Sequence, residues 1–588
     1  MKFQAGKRVI AILAGGLMLA GVLGGAEALA AEAAGPKMPE LVEQYTANRM
    51  SLRRTYVVDI APTRMARMEK FYNDELAMLT GMDFNQLSHE DQIDYLLLKH
   101  SCNSALHELS LEKEQNAQMR PLLPFAQTIE TMVTGKRLMQ RPDAQKSAAA
   151  LSAMVKQIEA TEKELNPEHH GAGAAQKYDP MVANRAAQAT MELQRNLRDW
   201  FGEYNGYDPD FTWWVGMPYQ NANKALTGYA EFLREKLVGL KPGDKTTIIG
   251  DPVGREALMA DLSDNMIDYT PEQMIAIAQT EYDWCLKQML EASRAMGYGD
   301  NWHAAVEKVK EMHVPPGEQP QVIKNLVDSG IDFAKKNNLV TVPPMAEETW
   351  RMIMMTPQRQ LVNPFFTGGN EISVSYPTNT MTFDQRMQSM RGNSTPLSHA
   401  EAFHEMIPGH FLQFYMMSRH RPYRRAFMTP FWVEGNALWW EMLYYQDGYD
   451  ATPAEKVGAL MWRMHRSARV IFTMNFHLGK WTPEQCVKYL MDNVGWDVDN
   501  ATAEVRRSFN GSVGPLYQCA YLMGGLQFRQ MHKELVGSGK MTEKQFADAV
   551  LHEGPMPIEL LRADLENLKV TPDYTTQWKF YGANPTHP

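Results

Sequence analysis

The chain has 588 residues, with 59 Lys and Arg against 69 Asp and Glu, and 44% of its residues are hydrophobic. This composition is typical of a packed globular protein and argues against a disordered chain. The net charge of −10, with no long basic run, argues against nucleic acid as a partner, because a polyanion needs a concentrated basic surface. The four cysteines lie far apart in sequence, which predicts isolated core thiols, with one disulfide as the alternative.

Residues 1–30 have the pattern of a signal peptide. Lys2, Lys7 and Arg8 precede an uncharged run over residues 9–23, and small residues at 28 and 30 suit signal peptidase. The run would span only about 22 Å as a helix, short of the roughly 30 Å hydrocarbon core, and no Cys follows it for lipid attachment. We therefore expect cleavage near Ala30-Ala31, a periplasmic or secreted protein, and no stable membrane insertion.

Helical patterns dominate the predicted N-terminal lobe, residues 31–340. Within residues 147–165 the apolar positions recur at three-, four- and seven-residue steps, with Lys and Glu between them. Thr270-Pro271 predicts a helix start with Thr as N-cap and Pro at the first position, where no amide proton is needed. Thr452-Pro453 and Thr482-Pro483 repeat the signal later in the chain. The predicted fold class is mostly α.

A small β-sheet is predicted within residues 341–380. Residues 340–344 and 371–377 alternate and are β-branched, and a Gly-containing turn at 365–370 lies between these two strand candidates. Pro377 cannot donate to a ladder, which favours an edge strand or a strand end. We place a lobe boundary within residues 337–345, so that residues 341–588 form the second, catalytic lobe.

The segment that indicates chemistry follows this sheet. Thr395 as N-cap and Pro396 at the first helical position predict a helix that presents His404 and Glu405 about three turns later. Metallohydrolases use adjacent His and Glu with a second His, because imidazoles bind Zn²⁺ while the Glu takes a proton from a metal-bound water. The sequence thus predicts one Zn²⁺ held by His404 and His410, with Glu405 as general base.

The spacing of the two histidines departs from that of a regular helix. The second His is usually four residues on, about 40° round the axis, whereas His410 is six on, about 240° round. Pro408-Gly409 must open the helix, because proline removes an amide proton and glycine permits non-helical angles. A break that absorbs two residues could return His410 to the face of His404. The alternative is a helix that ends at Ile407, with two unrelated surface histidines.

A third zinc ligand is predicted 24 residues after His410. Glu434, Ala437, Leu438 and Glu441 share one helical face, and a face that mixes Glu with apolar residues points inward. Glu434 is the predicted ligand. Glu441, about 11 Å further along the helix, is the predicted acceptor for an imidazole N–H. The alternative is that both are solvated charges.

These motifs resemble a known family. His404-Glu405-x-x-Pro-Gly-His410, followed by a helix with Glu434-Gly435-x-Ala, is similar to the bacterial "domain of unknown function" 885 family, grouped with the zincin metallopeptidases. It resembles the angiotensin-converting-enzyme-like peptidases more distantly, with two residues inserted before Gly-His. Residues 376–380, 521–524 and 546–551 also resemble the 885 family.

The resemblance implies a two-lobed helical fold with a deep channel, a small sheet near the zinc helix, and hydrolysis of short peptides. An extended peptide would pair with the edge strand at residues 372–376, with Ser375 and Tyr376 as substrate-binding residues. Tyr517 or Tyr521 would stabilise the oxyanion by analogy with the C-terminal tyrosine of such peptidases; the alternative is that both are aromatic core residues.

The sequence-based hypothesis is therefore an exported zinc metallopeptidase that acts on peptides. One alternative keeps the metal but cleaves a non-peptide amide or a cell-wall cross-link. Another is a non-catalytic protein that binds zinc or peptides. Glu405 favours an enzyme, because a binding protein needs no general base.

Overall fold

Helices make up most of the computed structural model, which describes residues 37–166, 168, 178–244, 247–360 and 365–582. The predicted fold class, mostly α, is confirmed. None of the described helices is long and apolar enough to cross a membrane. The predicted signal peptide, residues 1–30, lies outside the described residues, and the two lobes and their channel stay a prediction.

The helices before the sheet are, in chain order, α1 Met38–Thr55, α2 Pro62–Thr80, α3 His89–Met119, α4 Ala126–Arg137, α5 Ala144–Leu165, α6 Pro180–Tyr204, α7 Pro209–Phe232, α8 Gly254–Asp264, α9 Pro271–Ala295, α10 Trp302–Lys310 and α11 Gln319–Lys336. The sheet region contains α12 Pro344–Thr349, β1 Met352–Met354, α13 Pro357–Gln360 and β2 Ile372–Val374.

The helices after the sheet are α14 Phe383–Gly392, α15 Thr395–Glu405, α16 His410–Met417, α17 Pro430–Gln446, α18 Pro453–His477, α19 Pro483–Val494, α20 Val498–Phe509, α21 Tyr517–Leu535, α22 Glu543–Glu553 and α23 Ile558–Leu565. Shorter helical turns occupy Phe84–Gln86, Arg120–Leu122, Leu233–Leu237 and Pro422–Phe427.

The predicted helix starts are confirmed at three of these helices. Thr270, Thr452 and Thr482 cap α9, α18 and α19, and each side chain accepts the amide proton of the residue three positions on. The Gln or Glu at that position accepts the amide proton of the threonine in return, so each pair satisfies two otherwise unbonded donors.

The sheet has two strands and is parallel, with Met352 opposite Ile372 and Met354 opposite Val374. The strand predicted within residues 371–377 is confirmed, but the one at 340–344 is wrong. The amide of Thr341 donates to Asp548 Oδ1 at 2.8 Å instead of joining a ladder. Pro344 then begins α12, since a first helical position needs no amide proton.

The other edge of β2 is already paired at its centre. Ser373 and Thr367 exchange two backbone hydrogen bonds of 2.8 and 3.1 Å in an antiparallel bridge. The sequence predicted that strand residues 372–376 would pair with an extended substrate. The backbone amide and carbonyl of Ser373 are already bonded to Thr367, so they are not free for that pairing.

Two hydrophobic cores organise the described helices. The smaller core draws on α4 to α7 and adjoining residues, and α5 contributes Leu151, Met154, Ile158 and Leu165, the periodic positions of the sequence. The larger core takes residues from α1 to α3 and from both sides of residue 340. All four cysteines are buried and free, so the structure has none of the disulfides considered as an alternative. The lobe boundary near residue 340 stays a prediction.

Candidate metal and catalytic site

Helix α15 carries the first two candidate residues and begins differently from the prediction. Ser394 is its N-cap and Thr395 its first helical residue, whereas the sequence predicted Thr395 as the cap. The physical reason lies in the tertiary contact, because the amide of Thr395 donates to the carbonyl oxygen of Met312 at 3.2 Å. Pro396 still lies in the first turn, and the helix ends at Glu405, so His404 and Glu405 form its buried last residues.

The helix break predicted at Pro408-Gly409 is present. The chain leaves helical geometry at Met406, contains a cis peptide bond between Ile407 and Pro408, and begins α16 at His410. The amide of Gly409 donates to the carbonyl oxygen of Phe403 at 3.1 Å. A side chain at Gly409 would collide with the backbone of His404, so only glycine fits this close return. As a result, the imidazole rings of His404 and His410 have centroids 4.8 Å apart.

The structure brings the predicted metal ligands together. Nε2 of His410 lies 3.2 Å from Glu434 Oε2, and Nε2 of His404 lies 3.7 Å from the same oxygen. Glu405 Oε1 lies 3.9 Å from His404 Nε2, and His404, Glu405 and His410 each offer one donor atom within 4.8 Å of the others. All four side chains are buried. Lone-pair nitrogens that face buried carboxylates call for a proton or a cation between them.

The far nitrogen of each imidazole has its own partner. His404 Nδ1 lies 2.6 Å from Glu441 Oε1, the carboxylate that the sequence predicted for this contact, and Arg466 Nη2 approaches the same oxygen at 3.2 Å. His410 Nδ1 lies 3.1 Å from Gln413 Oε1, which accepts its proton. With Nδ1 protonated in this way, a neutral imidazole keeps its lone pair on Nε2, which faces the cluster.

Gln413 is fixed in turn by two hydrogen bonds to α17. Its Nε2 donates to the carbonyl oxygen of Val433 at 3.0 Å and to Asn436 Oδ1 at 2.8 Å. These bonds determine which end of the amide is oxygen, so the acceptor faces His410. Helix α16 is thereby joined to the helix that carries Glu434.

The charges in the cluster raise and lower the pKa values of its members. Burial alone would lower the pKa of His404, but the carboxylates of Glu434 and Glu441 outweigh it and raise this pKa to about 9. Burial also lowers the pKa of His410, yet Glu434 and Glu405 raise it on balance. Burial alone would raise the pKa of Glu434, but His410 and His404 hold it well below its usual range. The cluster therefore favours positive charge between its imidazoles and carboxylates.

Glu434 reaches the cluster because α17 and α21 cross at very short range. Gly435 and Gly524 face each other at the crossing, and a side chain on either would collide with the backbone of the other helix. This contact places Glu434 beside the first turn of α21. Tyr517 Oη there donates to Glu434 Oε1 at 2.5 Å.

The two candidate tyrosines differ in what they contact. Tyr517 has its hydroxyl on Glu434, and burial together with that carboxylate raises the pKa of the phenol, so the hydroxyl remains a donor. The ring of Tyr521 lies parallel to the His404 imidazole at 6.2 Å, and the guanidinium groups of Arg466 and Arg469 lie 4.8 and 4.4 Å from its centroid. Tyr521 therefore contacts the cluster through its ring.

Glu405 is enclosed by the chain segment that leads to β2. A side chain at Gly368 would collide with the backbone and the carboxylate of Glu405. One turn earlier on α15, Glu401 Oε1 accepts the amide proton of Phe366 at 3.0 Å, and burial together with the Glu405 charge raises the pKa of Glu401 well above its usual range. The segment thus covers Glu405 on one side and contacts β2 through Thr367.

The predicted substrate-binding residues contact α13. Ser375 Oγ and the backbone amide of Tyr376 both donate to Gln360 Oε1, at 3.2 and 3.0 Å. Their role in substrate binding stays a prediction.

Two further histidines near the motif have other partners. His399 lies 3.1 Å from Asp450 Oδ1, and His420 stacks on His552.

Three residues at the site were not predicted from the sequence: Gln413, Arg466 and Arg507. Gln413 had a usable signal, because it lies three residues after His410 and so shares its helical face. Arg466 and Arg507 come from α18 and α20 and had no local signal. Arg507 Nη2 donates to Tyr517 Oη at 3.4 Å.

The donor set suits zinc. Two imidazole nitrogens with protons fixed on the opposite ring atom, and one carboxylate oxygen, are the ligands of a His₂Glu site that leaves a fourth position open. Glu405 stands beside this set. The observation that supports zinc at these residues is that His404 and His410 both direct Nε2 at Glu434.

Comparisons with known proteins identify the family. The model of the family described as "Bacterial protein of unknown function (DUF885)" matches residues 45–565, so the chain belongs to this family, and that prediction is confirmed. No curated protein matches the chain. The more distant resemblance to angiotensin-converting-enzyme-like peptidases stays a prediction.

Two solved structures share the fold. One, from Shewanella oneidensis, has 16% sequence identity and a TM-score of 0.65, and the match covers 90% of this chain and 100% of that one. The other, from Colwellia psychrerythraea, has 14% identity and a TM-score of 0.56, with 90% and 98% covered. Both are described as a "putative lipoprotein", the first of them of unknown function. At this identity the likeness concerns the fold alone.

Proposed function

We propose that this protein is an exported zinc metallopeptidase that hydrolyses short peptides. One observation carries the proposal: the Nε2 atoms of His404 and His410 both face Glu434 Oε2, at 3.7 and 3.2 Å, with Glu405 alongside. A buried cluster of this kind needs a proton or a cation between its imidazoles and carboxylates, and its donors are those that zinc prefers. The glutamate beside it has no purpose in a purely structural zinc site.

Each residue has a role in this proposal. Zinc, when bound, polarises a substrate carbonyl and makes water acidic enough to act as a nucleophile at neutral pH. Glu405 accepts the proton from the attacking water and passes it to the leaving amine. Glu441 and Gln413 hold the two imidazoles in the required orientation. When substrate binds, Tyr517 turns its single hydroxyl proton from Glu434 to the developing oxyanion.

We assign the oxyanion role to Tyr517 and not to Tyr521. The hydroxyl of Tyr517 already reaches Glu434, one of the proposed ligands, whereas Tyr521 contacts the cluster with its ring. A donor must stand near the reacting carbonyl to act on it. Tyr521 then positions His404 and the arginines that pack on it.

Export is part of the proposal. It is supported by the signal-peptide pattern of residues 1–30 and by the two structural neighbours, whose descriptions as lipoproteins suit proteins outside the cytoplasm. Detection of the mature chain in a periplasmic or culture fraction, with an N-terminus near Ala31, tests this part. An N-terminus at Met1 in the cytoplasmic fraction would contradict it.

Metal analysis tests the site. We expect about one zinc per chain of wild-type protein and almost none in His404→Ala, because loss of one imidazole leaves two ligands. His420→Ala is the matched control, since His420 stacks on His552 and contacts none of the cluster residues. Stoichiometric zinc in His404→Ala would overturn the site.

A digest of a mixed peptide library tests the reaction. Wild-type protein should cleave peptides, and Glu405→Gln should bind zinc but cleave at least about 100-fold more slowly, because glutamine cannot accept the proton. Equal cleavage by both proteins would remove Glu405 from the mechanism. Zinc binding without any peptide cleavage would instead favour a non-peptide amide substrate or a binding protein.

A further inference from the structure

Three arginines surround the tyrosines of the proposed active site, and two of them are neutralised by carboxylates. Arg466 pairs with Glu441 at 3.2 Å, and Arg469 pairs with Glu504 at 2.6 Å. Both arginines are almost fully buried, with 4% and 2% of their surface exposed. Each of these two buried guanidinium groups therefore has a counter-charge within hydrogen-bond distance.

Arg507 differs from both. Among the described residues, the hydrogen bond of its side chain goes to Tyr517 Oη at 3.4 Å, and its guanidinium lies 5.6 Å from the centroid of that ring. Within the part of the chain that the structure describes, Arg507 makes no ion pair with a carboxylate at 4 Å or less. The nearby carboxylate of Glu504 is bonded to Arg469. A guanidinium has five N–H donors, so most of those on Arg507 have no acceptor among the described residues.

Arg507 also lies on the accessible side of the cluster. Arg507 and Tyr517 are partly exposed, whereas His404, His410 and Glu434 are buried. The turn that follows Arg507 on α20 is exposed at residues 510–512. Arg507 is therefore more exposed than the cluster members, and the Tyr517 hydroxyl connects its guanidinium to Glu434.

We propose that Arg507 binds a carboxylate of the substrate, roughly one or two residues away from the bond that is cleaved. A planar guanidinium recognises a carboxylate with two parallel hydrogen bonds, which gives both affinity and orientation. The spacing follows from the hydrogen-bonded chain Arg507–Tyr517–Glu434, since an extended residue spans about 3.4 Å. The carboxylate is the C-terminus of a peptide or an acidic side chain.

This inference rests on the proposed function, because it names the substrate class of the same site. It makes the enzyme selective for anionic peptides: a substrate without the carboxylate would displace water from Arg507 and leave its donors unpaired. Arg507 affects how tightly the substrate binds and how it is oriented. It leaves the groups proposed for hydrolysis, Glu405 and the metal ligands, as they are.

Binding to the inactive Glu405→Gln protein tests the inference without hydrolysis. The probes are three N-acetylated alanine hexapeptides: one with a free C-terminus, one with a C-terminal amide, and one with the amide and a single Glu at the fifth position. We expect the first or the third to bind at least about tenfold more tightly than the neutral amide by calorimetry. Preference for the first identifies the C-terminal carboxylate, and preference for the third identifies a side chain.

Variants of Arg507 complete the test. Adding Arg507→Gln should abolish the preference, and Arg507→Lys should keep part of it, because lysine retains the charge but not the planar pair of donors. Arg506→Gln is the matched control: the neighbouring arginine lines a different cavity, of about 410 Å³, between α6, α7 and α20. It should bind all three peptides as the Glu405→Gln parent does. Arg507→Lys also shows whether a loss in Arg507→Gln is only a folding defect.

The outcomes separate this inference from the proposed function. A preference for anionic peptides that survives Arg507→Gln, or equal binding of all three peptides, overturns the inference. Cleavage of neutral peptides by wild-type protein as fast as anionic ones overturns it while the peptidase remains. An Arg507-dependent preference without any cleavage supports the inference and overturns the peptidase. Absence of binding overturns both.

Discussion

The two hydrophobic cores of the molecule differ in how much charge they enclose. Among the described residues of 119–238, which form most of the smaller core, the buried polar side chains are Glu130 and Thr190. The larger core encloses the histidine–glutamate cluster and, around it, the pairs Arg463–Glu281 and Arg469–Glu504. Both cores pack helices against helices, so helical packing alone does not require the buried charge.

The difference in buried charge between the two cores indicates where the folded protein gives up stability. A buried ion pair rarely stabilises a protein more than well-packed apolar residues of the same volume would. The smaller core is packed almost entirely with apolar side chains. The larger core places buried charged or titratable residues on α15, α16, α17, α18 and α20, helices that form the candidate site. We therefore expect substitutions in the smaller core to change stability, and substitutions in the larger core to change the site as well.

Leu193→Ala should have the largest effect on stability and none on the site. Leu193 is 1% exposed in the smaller core, so its truncation should lower the free energy of unfolding by about 2–5 kcal/mol, as measured by urea denaturation. Met139→Ala, at a residue 93% exposed, should stay within about 0.5 kcal/mol of wild type. Loss of zinc from folded Leu193→Ala would show that the two cores are not independent.

Gly435→Ala should damage both stability and the site. The new methyl group would collide with Gly524 on α21, so the free energy of unfolding should fall by about 1–3 kcal/mol and peptide cleavage should slow as Glu434 and Tyr517 separate. Gly228→Ala on α7 is the control with the opposite sign. It lies in open space on a helix and should raise the free energy of unfolding by about 0.5–1 kcal/mol. Equal stability of the two variants would mean that the crossing is not tight.

Glu441→Gln should weaken zinc binding by about 10–100-fold. The amide keeps the shape but loses the negative charge that holds the Nδ1 proton of His404. Competition with a chelator of known affinity measures the effect. Asp447→Asn, an exposed residue just after α17, should bind zinc as wild type does. Unchanged zinc affinity in Glu441→Gln would show that the contact is not needed to orient His404.

Gln413→Ala should have the smallest effect, about fivefold weaker zinc binding. It removes a neutral hydrogen bond to His410, worth about 1 kcal/mol, where Glu441 supplies a charged one. The same chelator competition compares the zinc affinities of Gln413→Ala and Glu441→Gln directly. A loss greater than that of Glu441→Gln would show that joining α16 to α17 matters more than the charge behind the imidazole.

Local patterns predicted much of this molecule. The caps Thr270, Thr452 and Thr482 were readable because capping depends on residues three apart in sequence. His404, Glu405 and His410 were found because an adjacent His-Glu pair followed by a second His is a metallohydrolase pattern, and Glu434 and Glu441 because helical periodicity places both on one inward face. The break at Pro408-Gly409 followed from the backbone limits of these two residue types.

Contacts between distant segments were not predictable in this way. The partner of β2 proved to be β1, since Asp548 takes the amide of Thr341 and removes the other candidate strand. No local pattern near Glu441 predicts its contact with Arg466. The choice between Tyr517 and Tyr521 likewise depends on how α21 crosses α17, which is set by two glycines 89 positions apart.

The order of the site residues along the chain has a consequence for its assembly. All the proposed metal donors and Glu441 have been synthesised by residue 441, but Tyr517 follows 76 residues later. At roughly 5–20 residues per second, translation needs about 4–15 s to cover that distance. Tyr517 is missing throughout this interval, and Arg466 and Arg507 are added in the course of it, so a nascent chain can meet a metal ion only with donors that are not yet held in place.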